Sequence, residues 1–353
     1  MLNPGYTTLS KFAIEQVPPG PNARDLASLL VDVAAVTKAI SAAVRKGPLV
    51  DLAGLAGSEN AQGESQKKLD VLAEQLFVRG VEWSGLVGAL ASEEMDEVHM
   101  VAGRGRLALV YDPLDGSGNL DVNVAVGSIF SVLELPEGSS GPEAVLQPGT
   151  RQVAAGYAIY GPSTELVLTV GSGTHGFTLD REIGNYVLTR PGMSIPEATS
   201  EYAINASNRR FWEPPVTRYV DECKAGRDGP RGRDFNTRWV ASLVADVHRI
   251  MVRGGVYLYP RDQRESYREG RLRLMYEANP MAMLVEQAGG AASTGRGRIL
   301  EVEPRALHQR VPVILGSREE VERIGRYHAE YDRGEDQPYT SPLFGERSLF
   351  RNG

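Results

Sequence analysis

The chain has 353 residues, more than a single hydrophobic core usually holds, so two domains are expected. Its 38 basic and 45 acidic residues give a net charge of -7, which argues against nucleic acid or an anionic membrane surface as the main partner. The single cysteine, Cys223, excludes an internal disulfide and a thiolate metal cluster and indicates a reducing compartment. The start lacks a signal-peptide pattern and no apolar run approaches the roughly 20 residues of a membrane span. We therefore expect a cytoplasmic protein.

In the first half of the chain, two amphipathic helices are predicted before a series of strands. Apolar side chains recur with a helical period over residues 24–46 and again over residues 66–79. The predicted strands are residues 86–92, 106–111, 153–160, 164–170 and 175–180. The glycines of segment 171–176 match GxGxxG, but a strand-like run follows them, so the segment is predicted to be a hairpin turn.

The second half alternates strands with helices, which predicts an α/β domain. Its predicted strands are residues 201–205, 256–259, 272–276 and 311–315. Its predicted helices are residues 215–224, 238–251, 280–287 and 318–331. Around residues 191–199 the periodicity is lost, and this is the candidate boundary. The division expected is a domain at 1–195, a domain at 196–335 and a tail at 336–353.

The stretch YDPLDGSGNLDVNVAVGSIF, residues 111–130, carries the most informative chemistry. Pro113 removes a ladder donor and is predicted to end the preceding strand where Asp112 and Asp115 appear. The Gly-Ser-Gly that follows offers backbone N–H groups without bulky side chains. Carboxylates attract a cation and bare amides attract an anion, so the stretch is interpreted as a metal-assisted phosphate site. An Asp-rich turn between two strands is the alternative.

Several other acidic side chains stand where the same chemistry could use them. Together the unusual acids are Glu64, Asp70, Glu93, Glu94, Asp112, Asp115 and Glu277. No histidine or cysteine accompanies them, and all-oxygen ligation selects Mg²⁺ or Mn²⁺ over Zn²⁺. Like charges around one point are tolerable when more than one metal is bound, as in phosphoryl-transfer sites. Scattered surface charge is the alternative, and the position of Asp70 near the start of a helix favours a capping role.

Candidate anion-binding residues lie in a basic part of the chain. Residues 209–273 hold fifteen basic and nine acidic side chains, a local net charge of +6 that leaves -13 for the remainder. Arg271 and Arg273 alternate along the predicted strand and would share a face with Glu277, either bridging a phosphate to a metal or forming a salt-bridge ladder. Arg238 is predicted to start a helix, where its charge opposes the dipole, which indicates a partner elsewhere.

Taken together, these motifs resemble class I fructose-1,6-bisphosphatase. The resemblance is carried, from roughly residue 24 to residue 317, by DPLDGSGNLDVNVAVGSIF, QKKLDVLAEQL, ASEEM, LVADVHRIM, GGVYLYP and GRLRLMYEANPMAMLVEQAGG. The tail TSPLFGERSLF is similar to bacterial members, whereas DPLDG alone indicates only the wider lithium-sensitive sugar and inositol phosphatase superfamily. The resemblance implies a mixed α+β (α/β) protein, a two-domain layered αβαβα sandwich with its site in the cleft, assembled as a homotetramer.

The resemblance also implies a metal site. Its ligands would be Glu93, Asp112, Asp115, Glu277 and the backbone carbonyl of Leu114, with Glu64 where the family usually has an aspartate near an additional metal. The implied cation is Mg²⁺, alternatively Mn²⁺, with two to three ions per site. Asp70 and Glu94 match the pair of acids that activates the attacking water, which replaces the capping role favoured for Asp70 by position alone.

Substrate contacts are implied in the same way. Those at the 1-phosphate would be Asp115, Gly116, Ser117, Gly118, Arg273 and, where many members carry lysine, Arg271. Asn205, Tyr259 and Arg238 match the 6-phosphate site, with the arginine supplied by a neighbouring subunit. Asn208 and Trp239 stand where many relatives have tyrosines, so fewer 6-phosphate contacts are expected.

The implied activity is Mg²⁺-dependent hydrolysis of D-fructose 1,6-bisphosphate to D-fructose 6-phosphate and phosphate, in gluconeogenesis or the Calvin cycle. The alternatives are dual action on sedoheptulose 1,7-bisphosphate and a non-catalytic sugar-phosphate-binding regulator. In AMP-inhibited relatives a threonine of the first helix and a Lys-Tyr pair bind the nucleotide. Here these positions are Ala27, Arg106 and Leu107, so weak or altered AMP inhibition is expected.

Overall fold

The computed structural model describes residues 6–49, 55–59, 65–103, 105–139 and 141–339, with the main chain only at 48, 55–59 and 65–67. Its helices, in chain order, are α1 (Leu9–Gln16), α2 (Ala23–Val44), α3 (Lys68–Val81), α4 (Pro214–Ala225), α5 (Leu243–Arg253), α6 (Asn279–Gln287) and α7 (Arg318–Asp332). The helices predicted at 24–46 and 66–79 therefore form as α2 and α3, close to their expected bounds.

The strands are short and numerous, and many lie in the first half of the chain. In chain order they are β1 (Leu55–Glu59), β2 (Ser65–Lys67), β3 (Val87–Ser92), β4 (His99–Met100), β5 (Leu107–Asp115), β6 (Val126–Glu134), β7 (Gln152–Tyr160), β8 (Thr164–Thr169), β9 (Thr174–Asp180), β10 (Asn185–Met193), β11 (Glu201–Ile204), β12 (Asn236–Thr237), β13 (Val256–Tyr259), β14 (Leu272–Arg273), β15 (Ala291–Ser293), β16 (Arg310–Val311) and β17 (Val313–Gly316).

A large sheet of eight strands, in the order β10-β9-β8-β7-β6-β5-β3-β4, forms the centre of the N-terminal half. All its pairs are antiparallel except β3 with β5, which run in parallel. One face is covered by α1, α2 and α3, whose apolar sides meet Leu109, Tyr111 and Phe130 in one core cluster. The glycine-rich segment is a hairpin turn between β8 and β9, as predicted, with positive φ at Gly171 and Gly173.

A second sheet of five strands, in the order β12-β11-β13-β17-β15, lies in the C-terminal half. Helices α5 and α6 lie between the two sheets, because their apolar side chains share one cluster with Tyr157 of β7 and Tyr257 of β13. The neighbouring Val256 and Leu258 point to the opposite face and pack against α4 and α7. The layers are thus helix, sheet, helix, sheet, helix, which confirms the predicted αβαβα sandwich.

Two predicted boundaries around the motif residues are wrong. Strand β5 does not end at Pro113 but continues to Asp115, because a bulge opposite Ser128 absorbs the proline and the Ser128 hydroxyl donates to the Pro113 carbonyl at 2.7 Å. The helix predicted at 238–251 begins only at Leu243, where Ser242 caps it. Arg238 therefore does not start a helix, and the dipole argument made for it fails.

Two further strand predictions are also wrong. The strand predicted at 272–276 stops at Arg273, and the next five residues, Leu274–Ala278, form a π-helical turn that leads into α6. Glu277 therefore does not alternate with the two arginines along a strand. The strand predicted at 311–315 is divided by Pro312, so that β16 pairs with β14 and β17 pairs within the five-stranded sheet.

Helix α2 is an exception to the expectation that no apolar run approaches the length of a membrane span. By length and composition this helix of 22 residues could cross a membrane, since its most apolar 18-residue window has a mean hydropathy of 1.7. In this structure Leu29, Leu30, Val33 and Ile40 are buried in the core beneath the large sheet. Asp32 and Lys38 lie on the same helix, and Lys38 donates to the Gly184 carbonyl at 3.1 Å. Helix α2 is therefore an amphipathic helix that forms part of an outer layer of the sandwich.

Candidate active site

A buried cluster of three carboxylates lies where β5 meets the π-helical turn before α6. One carboxylate oxygen each from Asp112, Asp115 and Glu277 lies within 4.8 Å of the other two. The bulge in β5 turns both aspartates toward the interior, and all three side chains are buried. Burial, followed by the charges of Glu93, Asp115 and Glu277, raises the pKa of Asp112 well above its usual range. Such a concentration of acid is stable in ionised form only with a cation nearby.

Asp115 is held at the N-terminus of α5. Its oxygens accept hydrogen bonds from the Ser242 hydroxyl at 2.7 Å, from the Val244 amide at 2.8 Å and from the Leu243 amide at 3.3 Å. These donors and the helix dipole favour the ionised carboxylate, although burial still leaves its pKa raised. The next residue, Gly116, has a φ of +76°, and a Cβ there would lie 2.8 Å from the Ser242 Cβ. The glycine therefore allows β5 and α5 to approach closely.

Arg273 supplies positive charge beside the carboxylates. Its Nη2 lies 2.6 Å from Glu93, which directly follows β3, and its Nη1 lies 3.7 Å from Glu277. The Arg273 amide also donates to Glu277 at 2.6 Å, so the π-helical turn folds Glu277 back onto the end of β14. The predicted strand face with Arg271, Arg273 and Glu277 does not form. Arg273 and Glu277 contact each other through the π-helical turn instead.

The donor set fits a hard divalent cation. The three clustered carboxylates and Glu93 are oxygen donors held at strand ends and in the turn before α6, as such ions require. Leu114 lies between the two aspartates, buried, and its amide donates to Asp112 at 2.9 Å. The roles assigned to its carbonyl and to each acid stay predictions. Glu64 lies outside the described residues.

Asp70 lies on α3, and Glu94 lies in the turn after β3. Asp70 is in the first turn of α3 and is 4% exposed, unlike a solvated cap. Glu94 follows Glu93, and its amide donates to the Ser92 hydroxyl at 3.2 Å. Its negative charge contributes to the raised pKa of Glu74, which lies one turn after Asp70 on α3, although burial of Glu74 is the larger cause. The two acids are thus carried by segments that meet at this helix.

Gly116, Ser117 and Gly118 form the turn that leaves the cluster toward solvent. A six-residue 3₁₀ helix, Ser117–Val122, begins directly after Gly116. The first N–H groups of such a turn have no partner within it, and they are suited to an anion. The side-chain amide of Asn119 anchors the turn to the Val240 carbonyl at 3.4 Å, on the segment before α5.

A second group of polar side chains lies at the ends of β11 and β13. These strands run in parallel with Ile204 beside Leu258, so the next residues, Asn205 and Tyr259, are neighbours. The Arg271 guanidinium lies 5.6 Å from the Tyr259 ring centre and 5.3 Å from that of Tyr267. The Tyr267 hydroxyl accepts from Arg271 at 3.3 Å. The structure thus places Arg271 with Tyr259, apart from the Arg273 that lies among the carboxylates.

Arg238 contacts Glu201 and Thr237 in the single chain. Its guanidinium lies 3.9 Å from the Glu201 carboxylate and donates to the Thr237 carbonyl at 3.3 Å. The adjacent Trp239 stacks on Tyr257 with ring centres 5.5 Å apart and is tilted against Tyr259 at 5.7 Å. The tryptophan that replaces a family tyrosine therefore packs against the same strand that carries Tyr259.

Sequence reasoning missed three residues of this region: Glu74, Ser242 and Tyr267. Ser242 carried a signal, since a serine before an apolar helical run is a common N-cap. Glu74 carried a weaker one, because it follows Asp70 by four residues and so shares its side of the helix. Tyr267 lies in a polar basic loop and had no periodic pattern to identify it.

Comparison with known proteins agrees with this geometry. The family model described as "Fructose-1-6-bisphosphatase, N-terminal domain" matches residues 7–191, and that described as "Fructose-1-6-bisphosphatase, C-terminal domain" matches residues 195–329. The chain belongs to the fructose-1,6-bisphosphatase family. The resemblance found in the sequence is therefore confirmed.

Individual fructose-1,6-bisphosphatases are similar over nearly the whole chain. A class 1 fructose-1,6-bisphosphatase of Hydrogenophilus thermoluteolus is 56% identical over 352 residues, covering 98% of this chain and 97% of the relative. That of Methylacidiphilum infernorum is 54% identical, covering 98% of both. The holo-form crystal structure of Leishmania major fructose-1,6-bisphosphatase superposes with a TM-score of 0.86 at 40% identity, covering 93% of this chain and all of that one. Fructose-1,6-bisphosphatases depend on a divalent metal and act on a sugar bisphosphate.

Proposed function

We propose that this protein hydrolyses D-fructose 1,6-bisphosphate to D-fructose 6-phosphate and phosphate. One observation carries the proposal: Asp112 and Asp115 of β5 and the distant Glu277 bring carboxylate oxygens within 4.8 Å of one another beside Arg273. The high identity to named class 1 enzymes supports the substrate.

The divalent cation of this site is Mg²⁺, with two to three ions held by Glu93, Asp112, Asp115, Glu277 and the carbonyl of Leu114. When bound, it acts as a Lewis acid on the phosphoryl oxygens and on the leaving alkoxide. The observed acids fit such ions because all their donors are oxygens, and because a bound cation would relieve the burial and, secondly, the mutual repulsion that raise the pKa of Asp112.

The residues of the chain then divide into three tasks. Asp70 and Glu94 orient and deprotonate the attacking water. Gly116, Ser117, Gly118 and Arg273 bind the 1-phosphate through amides and a guanidinium. Asn205 and Tyr259 bind the 6-phosphate, and Arg271, which the resemblance assigned to the 1-phosphate, joins them in this proposal because it lies with Tyr259. Keeping both phosphates on fixed donors positions the 1-phosphoryl group for in-line attack.

The proposal also covers the oligomeric state, the cellular location and the domain division. The enzyme is a cytoplasmic homotetramer in which Arg238 reaches the 6-phosphate site of a neighbouring subunit, and the exposure of the Arg238 side chain supports this arrangement. The division into residues 1–195, 196–335 and a tail at 336–353 is supported by the two family models, which meet between residues 191 and 195.

The test is phosphate release from fructose 1,6-bisphosphate, other sugar phosphates and inositol phosphate, with and without Mg²⁺. We expect Mg²⁺-dependent release from fructose 1,6-bisphosphate, and its loss in Asp115→Ala while circular dichroism shows a folded chain. Normal turnover by Asp115→Ala, or release that is indifferent to Mg²⁺, would contradict the proposal.

A further inference from the structure

Glu74 on α3 is a mostly buried acid to which no role above has been assigned. Its two oxygens accept separate hydrogen bonds, one from the Ser92 hydroxyl at 2.6 Å and one from the Tyr111 hydroxyl at 2.9 Å. Both donors are buried in the large sheet. One carboxylate therefore connects α3 with the end of β3 and with the middle of the neighbouring strand β5.

Each of these donors directly precedes a predicted metal ligand. Ser92 is the last residue of β3, and its hydroxyl also accepts from the Glu94 amide at 3.2 Å. Tyr111 precedes Asp112, and its carbonyl accepts from the Glu93 amide at 3.2 Å. The Tyr111 ring also stacks on Phe77 of α3, with ring centres 4.5 Å apart. Glu74 thus lies where three segments contact one another: the turn at 93–94, the start of the motif at Tyr111, and α3.

A negative charge at this place has a cost that its hydrogen bonds must offset. Burial and the nearby charge of Glu94 both disfavour an ionised Glu74. An apolar residue would avoid that cost but would leave two buried hydroxyls without their acceptor. Because a carboxylate accepts two bonds at a fixed spacing, Glu74 sets the positions of the end of β3 and of Tyr111 in β5 relative to α3.

We propose that Glu74 is a positioning residue that fixes the turn carrying Glu93 and Glu94 relative to Asp112 and to Asp70 on the same helix. The inference rests on the proposed function of those acids. Its consequence is specific: Glu74 controls how well the acids bind Mg²⁺ and orient the water, and it leaves the 6-phosphate contacts alone.

The test compares Glu74→Leu, which removes both acceptors, with Glu74→Gln, which keeps one. We expect Glu74→Leu to lower kcat by about 10- to 100-fold and to raise the Mg²⁺ concentration for half-maximal activity, with KM within about twofold of wild type. Glu74→Gln should lose less on both measures. In a thermal-shift titration with Mg²⁺ alone, the Mg²⁺ midpoint should be highest for Glu74→Leu, intermediate for Glu74→Gln and lowest for wild type. Ser92→Ala combined with Glu74→Leu should lose less than the sum of the two single losses.

Glu222→Gln is the matched control. Glu222 is also a buried glutamate that accepts from a tyrosine hydroxyl, Tyr327 at 2.5 Å, but it belongs to α4 and packs against α7. It should lower the melting temperature without moving kcat or the Mg²⁺ midpoint. A folded Glu74→Leu with wild-type kcat and Mg²⁺ midpoint overturns the proposal, as does a loss that the control reproduces. If wild type releases no phosphate, the proposed function fails, and the Mg²⁺ thermal shift still tests the positioning role.

Discussion

At the scale of single residues, the two arginines proposed to bind phosphate differ in their surroundings. Arg273 is buried between Glu93 and Glu277, so its charge is shared with acids that are proposed to hold the metal. Arg271 is exposed, and no carboxylate of the described residues lies within 4 Å of it. It is held instead by the Tyr259 and Tyr267 rings. A guanidinium fixed by aromatic faces keeps its charge available for a ligand.

We predict that Arg271→Lys raises the KM for fructose 1,6-bisphosphate by about three- to tenfold and changes kcat little. Lysine keeps the charge but cannot stack on both rings or donate in a fork, so it loses binding that ground state and transition state share. Steady-state kinetics on purified protein measure the split. Arg268→Lys, at an exposed position three residues earlier, should leave both constants unchanged. An Arg271→Lys enzyme with wild-type KM would remove Arg271 from the substrate site.

Gly116 shows how one backbone position sets the site. Its φ of +76° is rarely adopted by other residues, and the Ser242 side chain occupies the space where a Cβ would lie. We predict that Gly116→Ala lowers stability by about 1–3 kcal/mol, because it adds left-handed strain and a close contact. Chemical denaturation measures the change. Gly118→Ala, where a Cβ meets nothing within 4 Å, should alter stability much less. Equal stabilities of the two variants would show that the close approach of β5 and α5 is not required.

At the scale of elements, α2 and the start of β5 bear on regulation. Of the positions that differ from AMP-inhibited relatives, Leu107 is fully buried in β5, and Arg106 donates to the Leu135 carbonyl at 3.1 Å. Ala27 of α2 has no hydroxyl to offer a phosphate. Two of the three side chains are thus used within the fold, and the third lacks a polar group.

We predict that AMP inhibits this enzyme weakly, with half-inhibition above about 1 mM. Ala27 and Leu107 lack the polar groups of the threonine and tyrosine, Arg106 is engaged by the Leu135 carbonyl, and lost polar contacts of this kind cost several kcal/mol together. Inhibition curves at saturating Mg²⁺ measure it, and ADP and inorganic phosphate serve as controls for general anion effects. Half-inhibition by micromolar AMP would show that other residues form the nucleotide site.

The elements also show what the sequence could and could not predict. Periodicity predicted α2, α3 and the hairpins, because the apolar face of a helix repeats every three or four residues and that of a strand every two residues. It failed at Pro113, Arg238 and Glu277. At these positions a bulge, a cap with Ala241 at a φ of +66°, and a π-helical turn are stabilised by contacts with distant segments. The acids of the site were recognised by motif, but their meeting point depends on these irregular turns. Tyr267 was missed because its loop has no periodic pattern, and Glu74 was missed because its helical spacing from Asp70 does not show which donors it contacts.

At the scale of the whole molecule, the layers of the sandwich concentrate negative charge at one point. Glu93 and Glu277 lie beside the guanidinium of Arg273, and Asp112 and Asp115 bring the number of neighbouring carboxylates to four. Two of these acids come from one strand, β5, and the other two come from the end of β3 and from the turn before α6. The fold thus holds like charges together that an unfolded chain would separate, and this lowers the stability of the metal-free protein.

We predict that Asp112→Asn raises the melting temperature of the metal-free protein by about 2 °C or more while abolishing activity. Asparagine keeps an oxygen for the Leu114 amide and removes one charge from the cluster, so repulsion falls without loss of packing. Adding Mg²⁺ should stabilise wild type, since a ligand that binds only the folded state adds RT ln(1 + [L]/Kd), and should stabilise the variant much less. Calorimetry with chelator and then with rising Mg²⁺ measures both effects. Asp262→Asn, which removes a buried acid paired with Arg264, is the matched control and should lower the melting temperature instead. If Asp112→Asn is destabilised without metal and still gains from Mg²⁺ like wild type, the carboxylate cluster is not the cation site.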